Sequence, residues 1–368
     1  MKKKIKLPVL NIQQLKLPKF FKFKGINSSF KSFCYTGIVS LIIILFFFTT
    51  PKLIILKNNL FVKSIEIKNE SKSNLEKVLS GKKTKEEQDD QLDKLQVFED
   101  IFQYEEIPTS TERLSASTIK KLFKDTNYSL KKVRKSKLVK PVSLELMPNE
   151  MKMIESTKER KNLFIQIVLP LILDENNQIK LDRKKLFAIL NRSNNSNSEK
   201  KWLNMKFKQY GVKNKDLLTL KIRMDEIPTS LAIAQAAKET GWGTSRFALE
   251  GNALFGQWTF DNGIKPKGID ENKSHKVMKF QILQASVRAY FRNLNTHSSY
   301  RKFRKYRASL RDNNEKLDSL ILADYLDAYA ATGLEYTKIL KQIIKQNSLK
   351  DFDDAKLLPT SKKLKSII

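Results

Sequence analysis

The stretch Cys34 to Thr50 reads CYTGIVSLIIILFFFTT without a charged residue, and a second apolar stretch, LIIL, comes after Pro51 and Lys52. A hydrocarbon layer about 30 Å thick is crossed by roughly 17 to 25 apolar residues, so residues 34–56 are long enough to span one if Lys52 extends its amine toward the headgroups. Nine lysines and no acidic residue precede the run, whereas lysine, aspartate and glutamate are mixed after it. That asymmetry keeps residues 1–33 as a basic cytoplasmic tail and exports the bulk of the chain. No small-residue cleavage site comes after the phenylalanines, and the leader is longer than a secretory signal's. The run therefore reads as an uncleaved, single-pass transmembrane anchor.

The rest of a 368-residue chain suits one sizeable domain and a tether. Residues 57–140 are rich in Lys, Glu, Asp, Ser and Gln and read as a charged, partly disordered spacer, with a strand-like fragment at Leu60 to Ile67 and a helical one at Ser117 to Phe123. The pattern changes near Pro141, so the folded domain is placed at 141–350 and a basic tail at 351–368. Seventy Lys and Arg against 39 Asp and Glu give a formal charge of +31. Such a charge attracts polyanions of any kind, but the basic residues are dispersed and no nucleic-acid-binding motif accompanies them, so no nucleic-acid partner is expected. Cys34 stands alone, which excludes an internal disulfide, and His275 and His297 lack ligand spacing, so neither metal nor cofactor is expected.

Apolar residues recur at helical spacing from Asn149 to Leu173, where Pro170 is expected to kink the end, then from Leu181 to Leu190 and from Ser198 to Tyr210. The domain is mainly α. Arg301 to Arg311 (RKFRKYRASLR) is helical and reads as a solvated face. Pro228 to Gly243, PTSLAIAQAAKETGWG, has proline at the first turn, small residues through the middle and glycine past the end, which predicts a buried helix stopping at Glu239 or Thr240. A carboxyl in a last helical turn faces unsatisfied carbonyls, and desolvation beside Trp242 acts in the same direction. Both push its pKa up. That is what a general acid needs, although an exposed structural glutamate fits the same pattern.

The stretch IPTSLAIAQAAKETGWGTSRFALEGNALFGQW, Ile227 to Trp258, resembles the core motif of the bacterial glucosaminidase family, specifically its Bax-type members. SVRAYFRNLNTHSSYRKFR, from Ser286, and YAATGLEYTKIL, from Tyr329, are similar to later family blocks in the same order. The resemblance implies a mainly α (α+β), lysozyme-like two-lobed domain with a small β lobe. It also implies hydrolysis of β-1,4 bonds in peptidoglycan at N-acetylglucosamine, at a bacterial inner membrane with the domain facing the periplasm or cell wall. Carried over by motif position, Glu239 is the general acid and Tyr336 a catalytic tyrosine of the cleft. Trp242, Asn252, Phe255, Gln257, Trp258, Tyr290 and Tyr329 form the substrate groove, with helix packing the plainer reading of the tyrosines and core packing that of Phe255.

One position departs from the family. Lys276 stands in SHKVMKF where Bax-type members tend to show glutamate, which leaves Glu271, or its neighbours Asp270 and Asp261, as the candidate second carboxylate. Substrate assistance by the acetamido group is the alternative. His297 reads as a buried hydrogen-bonding residue rather than a proton shuttle. The rival functions are a muramidase or lytic transglycosylase on the same fold, and a wall-binding scaffold without catalysis.

Overall fold

The first helix packs by the stripe Ala116, Ile119 and Phe123, all buried, and is opened by Ser115, whose side chain accepts from the Thr118 backbone. This helix, α1 (Ala116–Asp125), is succeeded by α2 (Leu130–Ser136) and the two-residue strand β1 (Leu138–Val139). The computed structural model describes residues 97–98, 101, 112–259, 263–266 and 276–359, all within one unit spanning Lys85–Ile368. Folded structure thus begins upstream of the boundary expected at 141: Ile119, Phe123, Tyr128, Val133 and Val139 belong to the main core. The anchor at 34–56 and the fragment at 60–67 lie outside the described residues. Among the described residues no helix is long and apolar enough to cross a membrane.

A 3₁₀ turn at Asn149–Met153 leads into α3 (Thr157–Leu190), one 34-residue helix where the sequence suggested two. Pro170 sits inside it. A proline removes the N–H that would bond the carbonyl four residues back, here Gln166. In this fold the Tyr128 hydroxyl donates to the Gln166 carbonyl at 3.0 Å, and the Gln166 side-chain amide donates back to the Tyr128 carbonyl at 3.0 Å. A distant side chain therefore repairs the local defect, and the helix continues.

Helices α4 (Asn197–Gln209) and α5 (Leu217–Arg223) come next, then the central helix α6 (Thr229–Thr240) and the short α7 (Arg246–Gly251). The small sheet has the order β2 (Trp258–Thr259), β4 (Lys276–Met278), β3 (Gly263–Ile264), antiparallel throughout, with Trp258 opposite Val277 and Gly263 opposite Met278. The chain then forms α8 (Leu283–Thr296), α9 (Arg301–Asp312), α10 (Ser319–Ala323) and α11 (Leu334–Gln346). After these come a 3₁₀ turn at Leu349–Phe352 and β5 (Lys356–Leu357), which pairs in parallel with β1, Leu138 opposite Lys356.

The fold is mainly helical with a small sheet. Its core forms around α3, α6, α8 and α11, and α6 is buried along almost its whole length, with Leu231 through Ala236 at or near zero exposure.

Residues 351–357 do not behave as a tail. Phe352 is fully buried, and Asp353 caps α6, whose own N-cap residue, Pro228, offers no side-chain bond. The Asp353 carboxylate accepts from the Ser230 N–H and the Ser230 hydroxyl, both at 2.8 Å. Burial pushes its pKa up to about 6 against these bonds. Asp353→Ala is expected to cost about 1 to 2 kcal/mol, the range of a lost N-cap, in denaturant unfolding. An unchanged midpoint would show that Ser230 finds another acceptor.

The basic stretch on α9 is a solvated face only in part: Arg301, Lys302 and Lys305 are exposed, but two of its arginines turn inward. Arg304 and Arg307 are buried, and Arg307 donates to the carbonyls of Ile222, Arg223, Asp225 and Glu226 at 3.0 to 3.4 Å. It closes the C-terminal end of α5 and the turn that enters α6, where carbonyls lack helical partners.

Candidate functional site

The entry of α6 is held by Asn176 on α3. Its amide donates to the Ile227 carbonyl at 2.8 Å and its oxygen accepts the Ile227 N–H at 3.1 Å. The exit is a turn of three residues with positive φ: Gly241 at 55°, Trp242 at 62° and Gly243 at 82°. Left-handed backbone favours glycine, and Trp242 takes it under strain of about 1 to 3 kcal/mol. At Gly243 a Cβ would meet Phe164 at 3.0 Å and Met151 at 3.2 Å, so a side chain there would also have to displace core neighbours.

Glu239 lies one residue before the end of α6, half-buried. Its Oε1 accepts the Tyr336 hydroxyl at 2.9 Å. Its Oε2 lies 3.2 Å from where a Cβ on Gly256 would stand, and Gly256, at φ 60°, has none. Burial raises the Glu239 pKa above the ordinary 4.5, partly opposed by the Tyr336 hydrogen bond and the Lys238 charge.

A set of tyrosines surrounds this carboxyl. Tyr336, on α11, is buried and lies parallel to Tyr329 at a ring separation of 5.5 Å. The Tyr329 hydroxyl donates to the Phe255 carbonyl at 2.8 Å, which ties the 3₁₀ turn at Asp324–Tyr329 to the loop before β2. Tyr290, on α8, is fully buried, stacks on Phe255 at 3.8 Å and donates to Gln235 Oε1 at 2.6 Å. Gln235 Nε2 in turn donates to the Tyr336 hydroxyl at 3.1 Å. Tyr300 tilts against Tyr329 at 5.9 Å, and burial pushes its hydroxyl up to about 12, with Asn293 opposing and the Glu239 charge adding.

The structure thus brings Glu239, Tyr336 and Tyr329 together and buries several of the other expected site residues. Tyr290 and Phe255 have no exposed surface on which a ring could stack; they are the wall behind the carboxyl. Asn252 is buried and spends its amide on the Phe280 and Gln281 carbonyls at 3.0 and 2.9 Å, tying the end of α7 to the segment after β4. Gln257 is buried too, and its backbone carbonyl accepts Met278 N–H at 2.7 Å. Trp242 packs edge-on against Phe164 at 5.9 Å with Lys161 over its face, so it leans on α3; the neighbours that enclose the Glu239 oxygens are Tyr336 and Gly256. Trp258, on β2, is 56% exposed and is the aromatic with surface to offer. Glu271, Asp270 and Asp261 lie outside the described residues, and Lys276 begins β4.

His297 accepts the Ser299 N–H on Nδ1 at 3.3 Å and caps a 3₁₀ turn, so it hydrogen-bonds as expected but is half-buried rather than buried, because the turn it caps lies toward the surface. The residue missed in the sequence is Gln235. Its signal was present: a single amide in the apolar run AIAQAA, four residues before Glu239 and hence on the same helix face.

Residues 217–349 match the family model of mannosyl-glycoprotein endo-beta-N-acetylglucosaminidase, a span that includes the helix with Glu239 and the helix with Tyr336. Protein bax of Escherichia coli (strain K12) is 34% identical over 197 residues, covering 51% of this chain and 70% of the relative. The chain belongs to the glucosaminidase family and is of the Bax type. No solved structure matches it. The family match begins at α5, whereas the described fold and its core start at α1, so the first helices are an addition to the matched region that packs into the same core.

Proposed function

We propose that this protein is a membrane-anchored glycoside hydrolase that cleaves β-1,4 bonds of peptidoglycan at N-acetylglucosamine, with Glu239 as general acid and Tyr336 as its partner. The observation that carries the reading is the carboxyl itself. It ends a buried helix, burial raises its pKa, and a phenol holds one oxygen while glycine leaves room at the other. In the reaction the C–O bond to the leaving sugar breaks as Glu239 gives its proton to that oxygen, which keeps the bonding pair. Water then adds its oxygen to the anomeric carbon, and its proton returns to the carboxylate. Tyr336 stabilises the carboxylate formed in between. Trp258 offers a flat face to a sugar ring. A lysozyme-like, two-lobed arrangement agrees with this reading, the helices making one lobe and β2, β3 and β4 the core of the other.

The second catalytic group is either an acid of the segment around Glu271 or the acetamido oxygen of the substrate. Lys276 occupies the start of β4, where Bax-type members tend to show glutamate, which favours substrate assistance. Residues 34–56 anchor the chain in the inner membrane, and residues upstream of α1 give it reach toward the wall.

Digestion of purified sacculi by the full chain, read by mass spectrometry of the released ends, tests the proposal. Reducing N-acetylglucosamine ends support it. Anhydromuramic ends transfer the site to a lytic transglycosylase, and sacculi that bind the protein without fragment release indicate a scaffold.

A further inference from the structure

We propose that Gln235 is a positioning residue that commits the Tyr336 proton to Glu239 Oε1 and thereby assigns the catalytic proton to Oε2, the oxygen over Gly256. The inference rests on Glu239 being the general acid.

Donor and acceptor identities fix the direction of each bond. An amide oxygen only accepts, so the Tyr290 hydroxyl, 2.6 Å from Gln235 Oε1, gives its proton there and orients the amide. The amide nitrogen only donates, and it points at the Tyr336 hydroxyl oxygen, 3.1 Å away. Tyr336 therefore cannot turn its proton back toward Gln235. The remaining partner is Glu239 Oε1 at 2.9 Å. With a donor fixed on Oε1 in either protonation state, the acid's own proton belongs on Oε2. There a side chain at Gly256 would press to 3.2 Å, and glycine leaves the space open.

The chain of bonds begins in a rigid place. Gln235 and Tyr290 are fully buried, and Phe255 stacks on the Tyr290 ring at 3.8 Å. Successive hydrogen bonds also polarise one another, so the amide makes Tyr336 a better donor to the carboxylate. Burial raises the acid's pKa, and this relay limits the rise while giving the proton one direction. Gln235 touches no reacting atom and acts through Tyr336.

The test is a pH titration of the Glu239 carboxyl by ¹³C NMR in the full chain, the resonance being assigned with Glu239→Gln. Wild type, Gln235→Leu and Tyr290→Phe are compared. In Tyr290→Phe the amide is free to turn its oxygen to Tyr336 and draw that proton from Glu239, and in Gln235→Leu Tyr336 loses the bond that polarises it, so the midpoint should rise in both, by about half to one pH unit in Tyr290→Phe and by less in Gln235→Leu. On wall fragments kcat should fall about tenfold with KM little changed. Tyr290→Phe removes one hydroxyl and keeps the packed ring, so it carries the test if Gln235→Leu does not fold. Unchanged midpoints in folded variants overturn the proposal, even if activity is lost, because a packing role alone would not move them. Shifted midpoints in a protein whose wild type cuts no glycan uphold the relay and refute the functional reading instead.

Discussion

Glu239→Gln is expected to fold normally and to lose glycan cleavage by about 10²- to 10⁴-fold, the usual contribution of a positioned general acid. The amide is nearly isosteric and can still accept the Tyr336 hydroxyl on its oxygen, so the site keeps its shape. It cannot release a proton to the leaving oxygen. The pH dependence has a definite sign. The acid works when protonated, and its folded pKa is raised by burial, so wild-type activity persists above the ordinary carboxylate range and falls as pH rises through the raised value. That alkaline limb should vanish from the residual rate of the glutamine variant. Wild-type rates in Glu239→Gln on sacculi, or an unmoved limb, would remove Glu239 from the chemistry.

Arg307→Met is expected to produce the largest loss of stability, about 3 to 5 kcal/mol, because it removes the fully buried member of an ion cluster and leaves the carbonyls of Ile222, Arg223, Asp225 and Glu226 without their donor. The Arg307 side chain has no exposure, and its Nε is 3.7 Å from the Asp225 carboxylate, itself 2% exposed. Arg183 and Arg311 approach the same carboxylate at 3.5 and 3.2 Å. Burial alone would push Asp225 up; the guanidiniums of Arg307, Arg183 and Arg311 outweigh it and hold the carboxyl below its ordinary 3.8. Burial lowers Arg307 to about 10 against the pull of Asp225, so it remains charged at neutral pH. For a carboxyl whose folded pKa is depressed, the stabilisation is present above the unfolded value and is lost as pH falls through the folded one. The wild type should therefore lose this contribution below about pH 4. Denaturant unfolding of Arg307→Met measures the loss; a value under about 1 kcal/mol would mean that the carbonyls at the end of α5 are satisfied without it.

These two residues mark how far the sequence is legible. The Glu239 helix is written locally: a first-turn proline, small residues for close packing and the Gly-Trp-Gly exit lie in one run, and each acts within a turn of its neighbours. The regions of helix and the approach of Tyr336 to Glu239 came from periodicity and from motif order. The Arg307 cluster was not legible, because its carbonyl partners lie 81 to 85 residues away and nothing in RKFRKYRASLR distinguishes a guanidinium facing water from one facing a helix end. Continuity of α3 through Pro170 depends on Tyr128, 38 residues before Gln166. The ordered C-terminal stretch depends on Phe352 and on Asp353 meeting Ser230, 123 residues apart in a sequence that otherwise looks like a charged end. Burial of Asn252 and Tyr290 was hidden for a related reason, whereas core packing was already the plainer reading of Phe255. Amides and aromatics suit both a sugar groove and the wall behind one, and only the stacking of Tyr290 on Phe255 and the bonds from Asn252 to the Phe280 and Gln281 carbonyls decide for the wall.

The central claim is that a helix-terminal carboxyl, enclosed by Tyr336 and the glycine turn at Gly256, holds a proton at a pH where an exposed glutamate has lost it. Titration of the wild-type Glu239 carboxyl measures this directly. A midpoint clearly above 4.5 is the predicted result; a midpoint at or below that value contradicts it.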